Sequence, residues 1–402
     1  MDRSVLGILA QSIKLEFQLS DTQLGFLGGT SFAIFYTLMG IPLARLADSW
    51  VRRHLLLLSL LAWSGMTTVC GLAQTFWQLL LARIGVAVGE AGAMPASHSM
   101  ISDLFAPNQR GTAISIFSLG IPLGTAAGLL VGGAINDLFG WRIAFMVVAI
   151  PGFLIAIIGH FTLKEPKRGA MDSDSRKPSP QRTQAWQTIR YLMITLRPYR
   201  YMAIAASLHN LSAYGVSIWM PAFLERTHQL SSTQTALWLS ATTVTGMAIG
   251  TGLGGPVADY LHRRHGINQL WVPALATILL VPFACIAYLH DNYKIALLVM
   301  ILPSILGASY IGPVFSTAQN MAPQHMRGMA SSLLLFLAVI VGQGVGPQLI
   351  GALSDAFNNH LHLGADSLRW GMVAALAFNP LAFWFFIKAI ACFREEIPSE
   401  PD

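Results

Sequence analysis

Charge is scarce in this chain. Of its 402 residues only 11% are charged, while 54% are hydrophobic. A soluble domain carries about twice that charge density, because its surface must be wetted; most of this surface must therefore face something other than water. Cysteine is scarcer still. Cys70, Cys285 and Cys392 lie singly in apolar runs with no pairing or metal-ligand spacing, which excludes a disulfide scaffold. His360 and His362 in "NHLHLG" have no acidic or cysteine companion, so no metal is expected there. No phosphate-cradling loop is present, which argues against ATP as the source of energy. The first residues lack the apolar core and small-residue cut of a secretory leader, so none is expected.

What the chain has is length of apolar sequence, with a mean hydropathy of +0.55. Segments near 20–48, 55–74, 76–104, 111–137, 141–163, 201–223, 232–259, 268–289, 293–321, 328–357 and 368–393 reach the roughly 20 residues that a helix needs to cross a bilayer. An incomplete segment, 1–17, precedes them. In lipid the backbone must satisfy itself, which leaves helix or closed barrel. Runs this long exclude the barrel, whose strands alternate over about ten residues. Pro42, Pro95, Pro122 and Pro303 sit inside the runs, as membrane helices tolerate.

Orientation follows from the basic residues between helices. Arg52, Arg53, Arg110, Arg263, Arg264 and Arg327 fall in alternate connections, and the polar 164–200 segment adds nine more Lys and Arg. The opposite connections hold only Lys14, Arg142, Arg226, Lys294 and Arg369. The rich side is expected to be cytoplasmic, with both termini on it. The net charge of +6 is accounted for by this asymmetry and calls for no nucleic-acid partner.

The chain also repeats itself. "ADSWVRRH" at 47–54 pairs with "ADYLHRRH" at 258–265, and "QLSDTQ" at 18–23 with "QLSSTQ" at 229–234, both 211 residues apart. "APNQRGTA" at 106–113 matches "APQHMRGMA" at 322–330, and "GTAAGLLVGGAINDLF" at 124–139 matches "GQGVGPQLIGALSDAF" at 342–357. Four matches in one order predict two homologous six-helix halves in parallel orientation, the arrangement of repeat-built secondary transporters.

"GIPLARLADSWVRRH" resembles the Gly-x-Leu-Ala-Asp-Arg-x-Gly-Arg-Arg loop signature of the major facilitator superfamily. Asp48, Arg52 and Arg53 match it; Ala44, Ser49 and Val51 depart from it. The second copy keeps Gly255, Asp259, Arg263 and Arg264. "MDRSVLGIL", "ARIGVAVGEAGAMPASHSMISDLF" and "GWRIAF" are similar to the spinster-like branch. The expected architecture is an all-α polytopic membrane protein: a six-helix bundle over 1–163, a cytoplasmic linker over 164–200, a second bundle over 201–393 and a disordered tail, 394–402. The repeat register leaves about one cytoplasmic half of helix 1 without sequence, the expectation being a mis-called start codon or shortened gene model, with a naturally truncated protein as the alternative.

Four ionisable residues fall inside apolar helices: Asp2 and Arg3 on helix 1, Arg83 and Glu90 on helix 4. Such charges are expensive at membrane depth and functional by default. Arg83 and Glu90 share a face about 10 Å apart, too far to touch well, so each is expected to partner Asp2 or Arg3. The corresponding second-half positions by the repeat are Ala213, Tyr214, Val299 and Leu306, and none is charged. A duplicated scaffold with an unduplicated quartet argues for work rather than folding. The reading is proton coupling through Glu90, and the spinster-like resemblance implies the same site.

Asp103 points away from that face and is expected to meet Arg52 or Arg53, with Arg45 nearby. Asp48 is expected at the N-terminus of a second-half helix. With Arg110, Asp259, Arg263 and Arg264 these make a cytoplasmic latch. Gly124, Gly128, Gly132 and Gly133 resemble an antiporter signature, with Leu129 where proline belongs and Pro347 restoring it in the other copy; close helix packing is their primary reading. Candidate cavity residues of the second half are His209, Asn210, Tyr214, Trp219, Tyr310 and Asn320. The expectation is a monomeric secondary transporter in the cell (inner) membrane that needs no cofactor beyond a proton gradient. Its expected partners are protons, membrane lipids and an amphiphilic or lipid-like solute, with aromatic acids or other organic anions as the alternative. A membrane enzyme is not supported, and a non-transporting receptor or scaffold would have little use for Glu90.

Overall fold

The structure, a computed structural model, describes residues 1–106, 109–169, 185–323 and 326–396, and among them no strand forms. Arg176, Lys177 and Arg182 of the linker, and residues 397–402 of the tail, lie outside the described residues. Among the described residues ten helices are long and apolar enough to cross a membrane: α2 (Asp21–Ser49), α3 (Arg52–Leu72), α4 (Phe76–Leu104), α5 (Ile116–Phe139), α6 (Trp141–Thr162), α8 (Ser232–His265), α9 (Trp271–Leu289), α10 (Tyr293–Met321), α11 (Arg327–Leu361) and α12 (Gly364–Phe393). Two more complete the series, α1 (Asp2–Phe17) and α7 (Arg197–His228). At 32 residues α7 is about 48 Å long, ample for a bilayer. Ser207, His209, Asn210 and Ser212 near its middle dilute its apolarity.

Local chemistry explains the repeated "QLS". Both α1 and α7 stop at a glutamine in the left-handed region, Gln18 (φ 52°) and Gln229 (φ 55°). The next helix then starts on a serine cap. Ser20 Oγ accepts from Gln23 N while the Gln23 side chain accepts from Ser20 N. Ser231 and Gln234 repeat that reciprocal box, which satisfies two otherwise orphaned donors.

By packing, the chain divides into two compact units, Met1–Lys177 with Leu230–Leu237, and Pro178–Gln229 with Trp238–Asp402. The same partnerships recur in each. In the first, α3 packs on α4 and α6, α1 on α5, and α2 on α4; in the second, α9 packs on α10 and α12, α7 on α11, and α8 on α10. The glycine runs permit the closest of these approaches. A side chain at Gly128 would strike the Met1 carbonyl and Ser4 Oγ, and one at Gly346 would strike the Leu211 carbonyl. The start of α8 belongs to the first unit because the end of α5 holds it: Asp137 accepts from the backbone N–H groups of Ser232 (3.1 Å) and Thr233 (2.8 Å), and Asn136 bridges Ser12 and Ser232.

Both fourth helices break. α4 interrupts at Ala91–Gly92 and α10 at Ser309–Tyr310. The cause is shared: "GEAGAMP" at 89–95 and "GASYIGP" at 307–313 stand 218 residues apart. Pro95 and Pro313 cannot donate to the carbonyls of Ala91 and Ser309 four residues earlier. This register puts the second-half counterparts of Arg83 and Glu90 at Ile301 and Ala308 rather than at Val299 and Leu306; the positions remain apolar.

Candidate functional site

The break in α4 frees the end of its first segment, and Glu90 is the residue there. Arg3 on α1 reaches it twice, donating from Nε (2.9 Å) and from a terminal nitrogen (2.8 Å) to the same oxygen, Oε1. The pair is accessible, with 39% of the Arg3 side chain and 24% of that of Glu90 exposed. Its guanidinium also lies over the rings of Phe32 (4.9 Å) and Tyr36 (4.7 Å), one turn apart on α2, an attraction between cation and ring face.

Beneath this pair lies a closed layer. Arg83 is 2% exposed. It donates one terminal nitrogen to the Asp2 backbone carbonyl at 3.3 Å, its Nε has no acceptor, and its guanidinium stands 5.3 Å from the centre of Phe32. Asp2 in turn accepts from the Thr67 hydroxyl on α3 at 2.9 Å. The four charged residues thus meet at one place, on α1 and α4, with α2 and α3 supplying Phe32, Tyr36 and Thr67 around them. Arg83 and Glu90 do not pair directly: Arg3 takes Glu90, and Arg83 takes the backbone of residue 2. Tyr36, Phe32 and Thr67 were not read from the sequence, although the four-residue spacing of the two aromatics on one face of α2 was visible.

A second cluster lies where α2 turns into α3. Arg52, only 1% exposed, pairs with Asp103 and with Glu165 (2.8 Å), and donates to the Ser99 hydroxyl (3.0 Å) and the Pro166 carbonyl (2.8 Å). Glu165 also accepts from the Arg53 backbone N–H at 2.8 Å, and the Arg53 guanidinium meets the His160 carbonyl. Arg168 donates to the carbonyls of Ala47 and Trp50, both at 2.7 Å, and Gly169 N to Asp103 at 3.0 Å. Burial alone would raise the Glu165 carboxyl; the Arg53 N–H and the Arg52 guanidinium outweigh it and hold the group below the usual carboxylate range. The linker residues Glu165 and Arg168 had no repeat partner to draw notice to them.

The remaining candidates scatter. Asp48 is exposed and takes no hydrogen bond among the described residues, and Arg45 is likewise outside the cluster. Arg110 donates to the Phe105 carbonyl at 3.2 Å. Asp259 accepts from Gln269 (2.7 Å), Arg263 leans on the Asp259 carbonyl (3.4 Å), and Arg264 lies 5.9 Å from the Tyr260 ring. In the second unit His209, Asn210 and Tyr310 do come together: His209 faces the Gly307 carbonyl and Asn379, and Tyr310 donates to Asn210 at 2.8 Å. Tyr214 packs beside them against Gly342. Trp219 lies apart, buried and donating to the Pro347 carbonyl at 2.7 Å, and Asn320 is exposed.

Residues 1–347 match the profile of the Major Facilitator Superfamily. The chain belongs to that superfamily. An MFS-type efflux pump of Mycolicibacterium smegmatis is 30% identical over 408 residues, covering 100% of this chain and 91% of that protein. Human protein spinster homolog 1 is 26% identical over 378 residues, 88% of this chain and 70% of the relative. A crystal structure of a bacterial homolog to the human lysosomal transporter spinster, inward-facing and unoccupied, is similar at a TM-score of 0.89 with 29% identity, covering 100% of this chain and 95% of that one. This superfamily member is spinster-like: an integral membrane protein with the family and fold of a transporter, not of an enzyme.

Proposed function

We propose that this spinster-like transporter is proton-coupled, with Glu90 as the group that takes and releases the proton. The observation that carries the reading is the Arg3–Glu90 pair at the break of α4, partly exposed above the buried Arg83. In a poorly solvated site a neighbouring cation favours the ionised form of a carboxylate, and its loss favours the protonated form. If Arg3 withdraws during alternating access, Glu90 gains a proton; when Arg3 returns, the proton leaves. Arg83 and its unused Nε–H keep the layer beneath positive, so a second anion would be drawn to the same place.

That chemistry suits an amphiphilic or lipid-like solute whose anionic head meets Arg3 and whose apolar part lies along Phe32 and Tyr36. The substrate's head and the Glu90 carboxylate would then compete for one guanidinium, so a proton on Glu90 frees Arg3 for the substrate, which couples the two without a conformational wire. The basic connections support residence in the cell (inner) membrane with both termini cytoplasmic; we read the working form as a monomer.

The test is transport in proteoliposomes under an imposed pH gradient, with lysolipids and aromatic acids as separate arms. Wild type should accumulate solute against its gradient. Glu90→Gln should keep exchange down a gradient and lose accumulation. Full gradient-driven accumulation by Glu90→Gln would remove the reading, and accumulation of aromatic acids alone would replace the solute class.

A further inference from the structure

The second unit has its own titratable residue at membrane depth. His209 sits near the middle of α7, 1% exposed. Its Nε2 lies 2.9 Å from the Gly307 carbonyl on α10, and its Nδ1 lies 3.1 Å from Oδ1 of Asn379 on α12. A carbonyl only accepts. The Asn379 amide is oriented by its other contacts: Nδ2 donates to the Ser212 hydroxyl (3.1 Å) and to the Leu376 carbonyl (3.4 Å). Leu376 cannot donate in return, so the amide nitrogen faces that way and the amide oxygen faces the ring.

The imidazole is therefore flanked by two acceptors. A neutral ring carries one N–H, and either tautomer would set a ring lone pair against an oxygen lone pair in the buried interior. The imidazolium carries two and fills both contacts. We infer that His209 is a proton-binding site of the second unit, where burial opposes the charge and an arriving proton would complete the contacts to the Gly307 carbonyl and the Asn379 amide oxygen. One N–H bond forms when the proton arrives from water and breaks when it returns there; nothing else is exchanged.

The surroundings are neutral. From α10 the Tyr310 ring meets His209 edge-on with centroids 4.8 Å apart, its hydroxyl committed to Asn210. Tyr214 stands beyond Tyr310, α12 supplies Asn379, and α7 itself supplies Asn210 and Ser212. No carboxylate or basic side chain acts on the ring from these elements. The charge is held by oriented dipoles alone, which makes it responsive to geometry. Gly307 opens the seven-residue stretch that breaks α10, so a change at that break moves one of the two oxygens and releases the proton. The site stands on its own contacts and does not depend on the role of Glu90.

Nitrogen NMR of histidine-labelled protein in nanodiscs tests this directly. The chain holds 11 histidines, and the signals absent from His209→Gln belong to residue 209. Should that variant fail to fold, Tyr310→Phe will displace the same signals through the adjoining ring. Two protonated ring nitrogens are expected by about pH 5, the two facing oxygens holding the charge that burial opposes. Asn379→Asp, which replaces the amide oxygen by a carboxylate, should raise the pH of deprotonation by about one to three units; Asn379→Leu should lower it. A ring with one bare nitrogen at about pH 5, or a transition that neither substitution moves, would overturn the assignment. The same measurement in Glu90→Gln should be unchanged, which separates the failure of one site from that of the other.

Discussion

The two units break the same helix with the same proline and pin the break by different chemistry. In the first, an arginine of α1 binds a carboxylate at the break of α4. In the second, a histidine of α7 binds a backbone carbonyl beside the break of α10. The difference extends through both units. The first relies on ion pairs: Arg3–Glu90, Lys14–Asp21, Arg52 with Asp103 and Glu165, Arg142–Glu16. The second buries neutral hydrogen bonds to carbonyls, from Tyr199 to Ala330 and from Trp219 to Pro347, while Arg369 pairs at 3.6 Å with the exposed carboxylates of Asp291 and Asp366. Duplication preserved the joint and pinned it with a carboxylate and an arginine in one copy, and with an imidazole between two neutral oxygens in the other. The first pin answers to the charge on a carboxylate, and the second to the position of two neutral oxygens.

The sharpest way to break this contrast is at the pins. Glu90→Gln should remove gradient-driven accumulation by about 100-fold or more, the range for loss of a positioned proton-transfer group, read as the ratio of internal to external solute. Next in size is stability. Arg52→Ala leaves Asp103 and Glu165 facing each other without their shared cation, and should cost about 3 kcal/mol of unfolding free energy. Tyr199→Phe, its neutral counterpart, strands only the Ala330 carbonyl and should cost about 1 kcal/mol. Denaturant titration of the two variants side by side measures the gap; equal losses would mean that the two units are held alike.

A smaller effect tests the joint itself. Pro95→Ala and Pro313→Ala each restore a donor, to the carbonyls of Ala91 and Ser309, and should each stabilise their helix by about 1 kcal/mol. Only Pro95→Ala should also depress proton-driven accumulation, because straightening α4 carries Glu90 away from Arg3. Equal depression by both would place moving parts in both units.

Much of this was legible in the chain. Ten of the expected spans emerge as apolar helices with ends within a few residues of those predicted, because lipid makes length and apolarity sufficient. The four charges come together as the cost of stranding any one at depth would suggest. The breaks were written in the Gly-x5-Pro repeat. The matches 211 residues apart, being longer, obscured its different register. What stayed hidden was whatever depends on which neutral group faces which: Asn379 beside His209, Thr67 beside Asp2, Phe32 and Tyr36 beneath Arg3. Uncharged side chains are inexpensive in a bundle interior, so composition does not mark them. Glu165 and Arg168 were hidden differently, as two ordinary charges in a polar linker that had no repeat to measure it against.

Glu165 supplies the smallest predicted effect and the one with a defined pH signature. Its carboxylate accepts from the Arg53 N–H and the Arg52 guanidinium, and its folded-state value lies below the ordinary glutamate value of 4.5. A depressed carboxylate contributes stability that is complete above its unfolded value and lost as pH falls through its folded value. Glu165→Gln keeps one acceptor and forfeits the charge, so it should destabilise the protein by about 1 kcal/mol at neutral pH. That deficit should hold down to about pH 5 and close as the wild-type carboxylate is itself protonated. A deficit that persists at about pH 3 would mean that shape rather than charge holds the linker on the loop, and the first unit's reliance on ions would then stop short of its linker.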